Sequence, residues 1–444
     1  VQGVFKPFWP PALVQQAPPA ILLAALRRFR GPALFRGLRT SSRLGAPFWP
    51  SGLTLRSSGR LRRRLPWPLD HHTNLAICGK KEATMQSLDD LLKEAIQKAT
   101  TERGNINILI AGRSGVGKST LINAVFQQNL AETGQGRPVT QNTREITRDG
   151  IPITIFDTRG LEMSQFKETL SELEKVIKDR SSDKDSNRHI HAAWLCIQED
   201  GRRVESAEVD LHNMLSKHVP LITVITKARS DNGFKNEVLS LLPESKNVIR
   251  VRAIPEELDD GYTLNPMGLE SLIELTSEVI PEGKRRALAA AQKANLNYTK
   301  AQAHKIVAGA ATAAAAAGAS PIPFSDAAIL APIQIGMIAG ITSVFGLELS
   351  KGTLSTLVTS AIGVGGATFI GRTIVVNVMK FFPGIGTIAG GAISAATASA
   401  ITVGLGEAYI AVLSEIFSDN PDATPSASDI AERLKEKMLS KSKQ

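Results

Sequence analysis

The stretch INILIAGRSGVGKSTLINAV, residues 106–125, decides the fold of the first half of the chain. An apolar run ends in a glycine-rich turn, and a helix-like pattern follows it. The spacing fits G-x-x-x-x-G-K-[ST], in which glycines let backbone N–H groups approach a di- or triphosphate. The N-terminus of the next helix and the Lys118 ammonium add positive charge, and the Ser119 hydroxyl suits Mg²⁺. The residues predicted to hold the phosphates are Gly112, Arg113, Ser114, Gly115, Val116, Gly117, Lys118, Ser119 and Thr120.

Around this stretch, residues 105–282 alternate between strand-like and helix-like patterns, which predicts an α/β domain with a parallel sheet flanked by helices. Ligands bind such sheets at the carboxyl ends of the strands. The predicted strands are Ile106–Ala111, Ile151–Phe156, Ala193–Ile197, Leu221–Ile225 and Val248–Val251. The predicted helices cover residues 118–128, 164–178, 205–217, 233–241 and 267–279.

Two further segments are expected near the phosphates. Asp157 and Gly160 follow the strand that ends at Phe156, where a carboxylate can hold Mg²⁺ through water and a glycine N–H can contact a γ-phosphate. Between the two motifs, residues 134–145 are rich in glycine and polar residues, so we expect a mobile loop. A threonine in this loop, Thr143 first and Thr140 second, is expected to close over Mg²⁺ when a γ-phosphate is bound.

Thr226-Lys227-Ala228-Arg229 follows the strand Leu221–Ile225. With this segment the chain resembles the Era-like branch of the P-loop GTPases, the class of TrmE, Era and septin-like proteins, over residues 105–282. In that family a T/N-K-x-D motif reads guanine, so the resemblance implies GTP as ligand, with Thr226 and Lys227 in the base site. Arg229 stands where the family has aspartate, and Asp231 is the nearest substitute.

The resemblance also implies GTP hydrolysis, with Ser119, Thr143 and Asp157 as Mg²⁺ ligands and Lys118 and Thr143 as catalytic residues. Arg159 occupies a position where the family often has proline. Leu161 stands where Ras-type enzymes carry a water-positioning glutamine, so slow intrinsic hydrolysis is expected. The Era-like family commonly lacks that glutamine and still hydrolyses GTP. Arg252-Ala253 resembles a degenerate form of the last base-contacting loop of the family.

The charge of the chain is concentrated in its first segment. The net charge is +10, yet residues 1–84 hold 14 of the 52 Lys and Arg and two of the 42 acidic residues, so the remainder is close to neutral. This distribution gives no indication of a nucleic-acid partner. Residues 1–84 are interpreted as a presequence, a disordered basic arm or a translation artefact upstream of Met85. Two cysteines exclude a disulfide framework.

The C-terminal half is predicted to be all-α and hydrophobic. Four stretches lack Asp, Glu, Lys and Arg and are 19 to 26 residues long, which is enough to span a bilayer. They are Ile306–Ser325, Ala327–Leu347, Thr353–Gly371 and Phe381–Gly406. Their high content of alanine and glycine leaves three alternatives: transmembrane helices, a soluble bundle, or a domain that lies on or inserts into the membrane.

Residues 297–417 resemble an uncharacterised hydrophobic domain that follows GTPase modules in some bacterial proteins. Asp326 is expected in an interfacial turn after Pro321 and Pro323. The other expected segments are an N-terminal helix in 85–104 that packs on the domain after it, a G domain at 105–282, a helical connector at 283–304, a hydrophobic domain at 305–417, and a frayed polar tail at 418–444 with a short helix from Asp429 to Met438.

The predicted function is Mg²⁺-dependent GTP hydrolysis coupled to a membrane-associated helical domain, with the G domain facing the cytoplasm, or in an organelle if residues 1–84 are a presequence. A homo-oligomer through either domain is a further possibility. One alternative is a structural or transport-type membrane protein with a regulatory, nearly inactive nucleotide domain. Another is an ATPase, because of Arg229.

Overall fold

A seven-stranded sheet organises the segment Ile106–Val279, which we call the α/β domain. The computed structural model describes residues 87–133, 135–140, 143–158, 166–245, 247–318, 326–362 and 395–441. The strands are β1 Ile106–Ala111, β2 Gln135–Pro138, β3 Thr143–Thr147, β4 Ile153–Thr158, β5 Ala192–Gln198, β6 Leu221–Thr226 and β7 Asn247–Arg250. Their order is β2-β3-β4-β1-β5-β6-β7, parallel from β4 to β7 and antiparallel at β2 and β3. The predicted α/β class is confirmed.

Helices cover both faces of this sheet. They are α2 Lys118–Val125, α3 Leu130–Thr133, α4 Phe166–Ser181, α5 Ser206–Leu215, α6 Phe234–Leu241 and α7 Leu269–Val279, and a short hairpin of β8 Glu256–Glu257 and β9 Thr263–Leu264 precedes α7. Side chains alternate along β1, so Ile108 and Ile110 pack with α2 and α7, whereas Leu109 packs with α4, α5 and α6. Both faces of β1 are therefore buried, as its continuous apolar sequence predicts.

A helical bundle forms the second half of the molecule. Its connector, α8 Arg285–Ala291, packs on the α/β core through Ala287, Leu288 and Ala291. The bundle helices that follow are α9 Leu296–Gly318, α10 Asp326–Val344, α11 Lys351–Ile362, α12 Ala395–Asp419 and α13 Ala427–Lys441. The predicted all-α region is confirmed, although the expected continuous connector is broken by the non-helical residues 292–295.

The N-terminal helix α1, Leu88–Arg103, belongs to this bundle. Leu91, Leu92, Ala95 and Ala99 are buried in one cluster with residues of α9 to α13. Ser87 caps the helix by accepting from the Asp90 N–H, as the sequence predicts. The expectation that α1 packs mainly on the α/β domain was wrong, because its apolar face matches the bundle. The bundle is thus formed by a helix that precedes the α/β domain along the chain and by helices that follow it.

The C-terminal segment is also part of the bundle core. Ile430, Leu434 and Met438 of α13 are at most 2% exposed, so the expected frayed tail was wrong. Their spacing of four residues places them on one helical face, which packs against α11 and α12. Burial of that face orders a segment that is mostly polar in composition.

The hydrophobic stretches have a weaker membrane signal in the structure than in the sequence. In the described part of the chain, only Ala395–Asp419 is long and apolar enough to cross a bilayer, and 61% of its most apolar window is buried inside the protein. Asp326 begins α10 rather than lying in a turn, and Pro321–Ser325 is outside the described residues, as are residues 363–394. Membrane association stays a prediction.

Within the segment 134–145, the described residues form strands instead of the loop that their composition predicts. β2 and β3 pair antiparallel, and β3 extends the sheet by pairing with β4. The two strands have four and five residues, and β2 contains glycine and proline, so the sequence lacks a clear period and long-range pairing stabilises the strands. The predicted strand Ile151–Phe156 begins two residues later, at Ile153, and ends at Thr158.

Candidate functional site

The turn between β1 and α2 has a backbone that requires glycine. Gly112, Gly115 and Gly117 have φ angles of +146°, +78° and +97°. A Cβ atom on Gly112 would lie 2.4 Å from the carbonyl oxygen of Cys196. Because real Cβ contacts are longer than this, residue 112 must be glycine for β1 and β5 to sit side by side.

Lys118 begins α2 and is only 9% exposed. Its Nζ donates to the carbonyl oxygens of Gly112, at 2.8 Å, and Arg113, at 3.0 Å. The ammonium is therefore held over the turn that the glycines form, while Ser119 and Thr120 are exposed in the first turn of α2. The first N–H groups of a helix have no intrahelical acceptor, so this end of α2 suits a phosphate.

Asp157 lies beside this turn because β4 and β1 are parallel, with Asp157 in register with Ile110. Its side chain is largely buried at 8% exposure. A carboxylate on β4 and the Ser119 hydroxyl form a hard oxygen donor set, which is the kind that Mg²⁺ prefers. The residues present therefore fit Mg²⁺.

Cys196 on β5 is the buried thiol next to these charges. Burial raises its pKa to about 12, and the nearby charges of Lys118 and Asp157 change this little. The thiol is therefore neutral and acts as a packing residue.

Thr143 is the first residue of β3 and only 2% exposed. Its carbonyl oxygen accepts from the N–H groups of Val139, at 2.8 Å, and Thr140, at 3.2 Å, and the residue pairs with Thr158 across the sheet. Thr143 therefore lies on the strand next to Asp157 rather than in a mobile loop, and its role as Mg²⁺ ligand stays a prediction. Gly160, Arg159 and Leu161 lie outside the described residues.

The predicted base site follows β6 and is tied to the phosphate turn. The Thr226 hydroxyl donates to the carbonyl oxygen of Val116 at 2.6 Å. Lys227 has a left-handed backbone, with φ +53°, and its exposed side chain reaches Gln198 Oε1 at 3.4 Å. Thr226 thus fixes the distance between the two loops, whereas Lys227 projects from the edge of the sheet.

Arg229 and Asp231 are both engaged within the protein. The Arg229 guanidinium forms an ion pair with Glu256 of the β8–β9 hairpin. Asp231 Oδ1 accepts from the Lys235 N–H at 2.9 Å and lies 3.6 Å from Arg250 Nε. In this arrangement Asp231 orders the start of α6, so it is a poor substitute for the missing aspartate.

Sequence reasoning missed Glu199, which holds the loop of residues 226–229 after β6, called the base loop below. This carboxylate, 2% exposed, accepts from the Arg229 N–H and from Arg250 Nε, both at 2.5 Å. Burial alone would raise the pKa of Glu199, but the hydrogen bonds from Arg250 and Arg229 outweigh it, and the pKa is lowered. Its position directly after β5, at the carboxyl edge of a parallel sheet, was the available signal.

Arg252 and Arg113 also have structural partners. Arg252 Nε donates to the carbonyl oxygen of Ala228 at 2.8 Å, so Arg252-Ala253 supports the base loop. Arg113 pairs with Glu205, the N-cap of α5, at 2.5 Å. These contacts fix the loops around the phosphate turn.

Two family descriptions match the chain. Residues 107–227 match the 50S ribosome-binding GTPase family, and residues 284–439 match a domain of unknown function, DUF697. The GTPase match spans β1 to Lys227, so it contains both the phosphate turn and the start of the base loop.

Similar curated proteins include a tRNA modification GTPase, MnmE, of Baumannia cicadellinicola, 26% identical over 50% of this chain and 46% of that protein. Septin-14 of Mus musculus is 28% identical over 44% of this chain and 50% of its own. Translocase of chloroplast 159 of Arabidopsis thaliana is 28% identical over 37% of this chain and 10% of that protein. The chain thus spans half or less of the length of these relatives.

A solved structure titled as a probable GTP-binding protein, engB, matches 40% of this chain and 99% of its own. The identity is 20% and the TM-score is 0.28.

Proposed function

We propose that the protein binds GTP with Mg²⁺ and hydrolyses it to GDP and phosphate, because residues 107–227 match the 50S ribosome-binding GTPase family. The observation that carries the proposal is the turn Gly112–Gly117, in which three positive φ angles expose backbone N–H groups beside Lys118. Mg²⁺ would be held by Ser119 and Asp157 and would neutralise charge on the phosphates.

Within this site Lys118 exchanges its two carbonyl acceptors for phosphate oxygens. The start of α2 presents N–H groups to the same oxygens, and Thr226 keeps the base loop at a fixed distance from the turn. These groups position the phosphates and stabilise developing charge, which is the main contribution of a protein to phosphoryl transfer. Leu161 cannot orient water by hydrogen bonding, so we expect slow intrinsic turnover.

The proposal includes coupling of nucleotide state to the helical bundle, and α2 supplies the connection. Its first residue, Lys118, lies at the phosphate turn, and the Val125 carbonyl oxygen at its other end accepts from the Lys293 N–H at 2.8 Å. Phe126 forms a β-bridge with Gln292, in the non-helical segment between α8 and α9. A shift of α2 by phosphate contacts would therefore move the joint to the bundle.

We also propose that the bundle acts at a membrane surface and that the α/β domain faces the cytoplasm. The support is the apolar composition of residues 306–406 and, within the described part of the chain, one helix of spanning length, Ala395–Asp419. Vesicle binding by the full chain should then differ between GDP and a non-hydrolysable GTP analogue, and equal binding would contradict the coupling. A homo-oligomer through either domain is checked by sedimentation in the same two states.

The second candidate function is a regulatory nucleotide domain with little turnover, or an ATP-binding one. Arg229 favours it, because guanidinium groups only donate hydrogen bonds and the guanine N1 and N2 groups need an acceptor. Competition of labelled GTP by excess ATP separates the base preferences: a guanine-selective site keeps its bound GTP, and loss of the bound GTP would contradict guanine selectivity.

Single-turnover release of the γ-phosphate tests hydrolysis. Lys118→Ala should lower the rate by about 10²-fold or more, as for removal of one donor that stabilises a transition state. Lys184→Ala, an exposed lysine in the loop after α4, is the matched control and should leave the rate unchanged. Phosphate release that does not depend on Lys118 would contradict the GTPase proposal and favour the regulatory alternative.

A further inference from the structure

A groove of about 370 Å³ lies in the helical bundle between α1, α9 and α10. This volume is within the range of about 300–1,000 Å³ that small-molecule pockets have. Its floor consists of small residues on the three helices. They are Ala95, Ala99, Gly309, Ala310, Ala313, Gly336 and Gly340.

The groove is open because two glycines lack neighbours. A Cβ on Gly309 or on Gly336 would meet no atom within 4 Å, whereas one on Gly340 would lie 3.1 Å from Ile306. The helices therefore pack tightly at Gly340 and leave space at the other two. Pro332, inside α10, lines the groove and has no N–H to donate to the preceding turn.

The two ends of the groove differ in character. Gly340 packs on Ile306, next to Lys305, and at the other end Ile333 packs against the cluster that contains Ala314. From Lys305 to Ala313, eight residues along α9, the groove extends about 12 Å, at the helical rise per residue. The far end is lined by apolar groups, whereas Lys305 begins the charged end.

The charged end has an excess of cations. Glu102 pairs with Arg286 at 2.5 Å and lies 3.9 Å from Lys98. Lys305 makes no ion pair with any residue that the structure describes. With Glu94 included, the rim carries three cationic and two acidic side chains, so an anion is the complementary charge there.

We propose that this groove binds a single-chain anionic amphiphile, of which a medium-chain fatty acid such as decanoate is the simplest. Its carboxylate lies at Lys305 and Arg286, and its acyl chain lies over Gly309 and Gly336. A single chain is favoured over a two-chain lipid because the volume is at the low end of the ligand-pocket range. The site is independent of the nucleotide site.

Isothermal titration calorimetry of the full chain, delipidated, tests this with decanoate, octanoate and hexanoate, whose acyl chains fit within the length of the groove. Binding should weaken roughly tenfold for each two methylenes removed, because each buried methylene contributes a constant increment. The matching alcohol of decanoate should bind more weakly than decanoate. Equal affinities across the series, or no uptake of decanoate, would overturn the proposal.

Filling the groove gives a variant that should keep its fold. Gly336→Leu and Gly309→Leu place side chains in open space on helices, so the thermal midpoint should be unchanged or higher while decanoate affinity falls at least tenfold. Gly352→Leu, an exposed glycine in α11, is the matched control and should bind as the unaltered chain does. A lowered thermal midpoint or a changed sedimentation coefficient for Gly336→Leu would mean that another segment or a second copy fills the groove, and would count against the proposal.

Charge reversal tests the headgroup end. Lys305→Glu should weaken decanoate binding at least tenfold and leave binding of the alcohol unchanged. Lys300→Glu, outside the groove on the same helix, should leave binding of both ligands unchanged. GTP binding should be unaltered in every variant, so failure here does not affect the proposed nucleotide function. Equal loss with Lys300→Glu would indicate a general charge effect and contradict the placement of the carboxylate.

Discussion

Several buried polar side chains in the α/β domain carry acidic or basic groups. In the helical bundle, the buried polar side chains that the structure describes carry amides and hydroxyls instead. The ionisable ones in or directly after the α/β domain are Lys118, Asp157, His191, Glu199, Glu208, His212, Arg252 and Lys284. The neutral ones in α10 and α12 are Gln334, Thr342, Ser343, Thr402 and Tyr409. Charged groups hold loops and ligands in place and make stability depend on pH.

This difference explains why the bundle resembles a set of membrane helices in sequence. A helix whose interior contains only apolar, amide and hydroxyl groups passes the same composition test as a bilayer-spanning helix. Thr342 Oγ1 and the Tyr409 hydroxyl, 2.8 Å apart, satisfy each other inside the bundle. In the α/β domain, charged residues that form ion pairs in the loops interrupt the apolar sequence. The apolar runs are therefore short, and the sequence predicts them correctly as strands.

The largest effect is expected where the bundle takes its core from both ends of the chain. Leu92, on α1, is fully buried among bundle residues, so Leu92→Ala should lower the free energy of unfolding of the bundle by about 2–5 kcal/mol. Urea unfolding followed by circular dichroism measures the helices. Trp194 fluorescence, with Trp9, Trp49 and Trp67 replaced by Phe, measures the α/β domain.

The control for this comparison is Leu239→Ala on α6, where the side chain is 41% exposed and the effect should stay within about 0.5 kcal/mol. If Leu92→Ala shifted the Trp194 transition and left the helical transition unchanged, α1 would belong to the α/β domain after all.

Leu92 also shows what sequence could and could not predict. The helical period of its apolar residues predicts which face of α1 is buried. It does not predict which part of the protein that face packs against. The phosphate turn was predictable because its glycines and Lys118 act within one contiguous segment. The position of Glu199 after β5 was visible in the sequence, but its partner Arg250 and the β2–β3 hairpin were not, because the ion pair and the strand pairing join residues far apart in sequence. The same limit applies to the burial of α13.

Lowering the pH should destabilise the α/β domain more than the helical bundle. Burial lowers the pKa of His191 from 6.5 to about 4, and the nearby cations Lys284 and His189 act in the same direction. The neutral ring accepts from the Asn107 N–H at 2.9 Å, and its Nε2 lies 3.0 Å from the Ser186 carbonyl oxygen. Because the folded state resists protonation, this stability is complete above pH 6.5 and decreases as the pH falls towards 4.

The expected loss is about 3 kcal/mol, at about 1.4 kcal/mol per pKa unit. It should appear in Trp194 fluorescence, while the helical signal of the bundle changes little over the same range. His191→Gln keeps a donor and an acceptor without a titrating group, so its α/β transition should be flatter between pH 6.5 and 4. An equally steep dependence in that variant would assign the effect to another group.

Gln334 tests the neutral interior of the bundle in the opposite direction. Its side chain is fully buried, and neither its amide nitrogen nor its amide oxygen has a hydrogen-bond partner among the residues that the structure describes. An unsatisfied buried polar group costs about 1–3 kcal/mol, so Gln334→Met, of similar shape, should stabilise the bundle by about 1–2 kcal/mol in urea unfolding. Gln302→Met, on α9, is the control for a general gain from methionine. A loss of stability in Gln334→Met would mean that the amide has a partner in solution.

The smallest effect is expected at the joint of the two regions, where Lys293 Nζ lies 2.7 Å from Asp422 in the segment between α12 and α13. Asp422 is 47% exposed, so water screens the pair and Asp422→Asn should cost only about 0.5 kcal/mol. A double-mutant cycle with Lys293→Gln isolates the pair from the other contacts of each residue. The coupling should shrink further in 1 M salt, where the screening length is about 3 Å. A coupling above about 2 kcal/mol that persists in salt would contradict this, because it would require a desolvated pair. The joint between the two regions would then contain a buried ion pair, as the α/β domain does. The buried ionisable groups would in that case extend past α8 into the bundle.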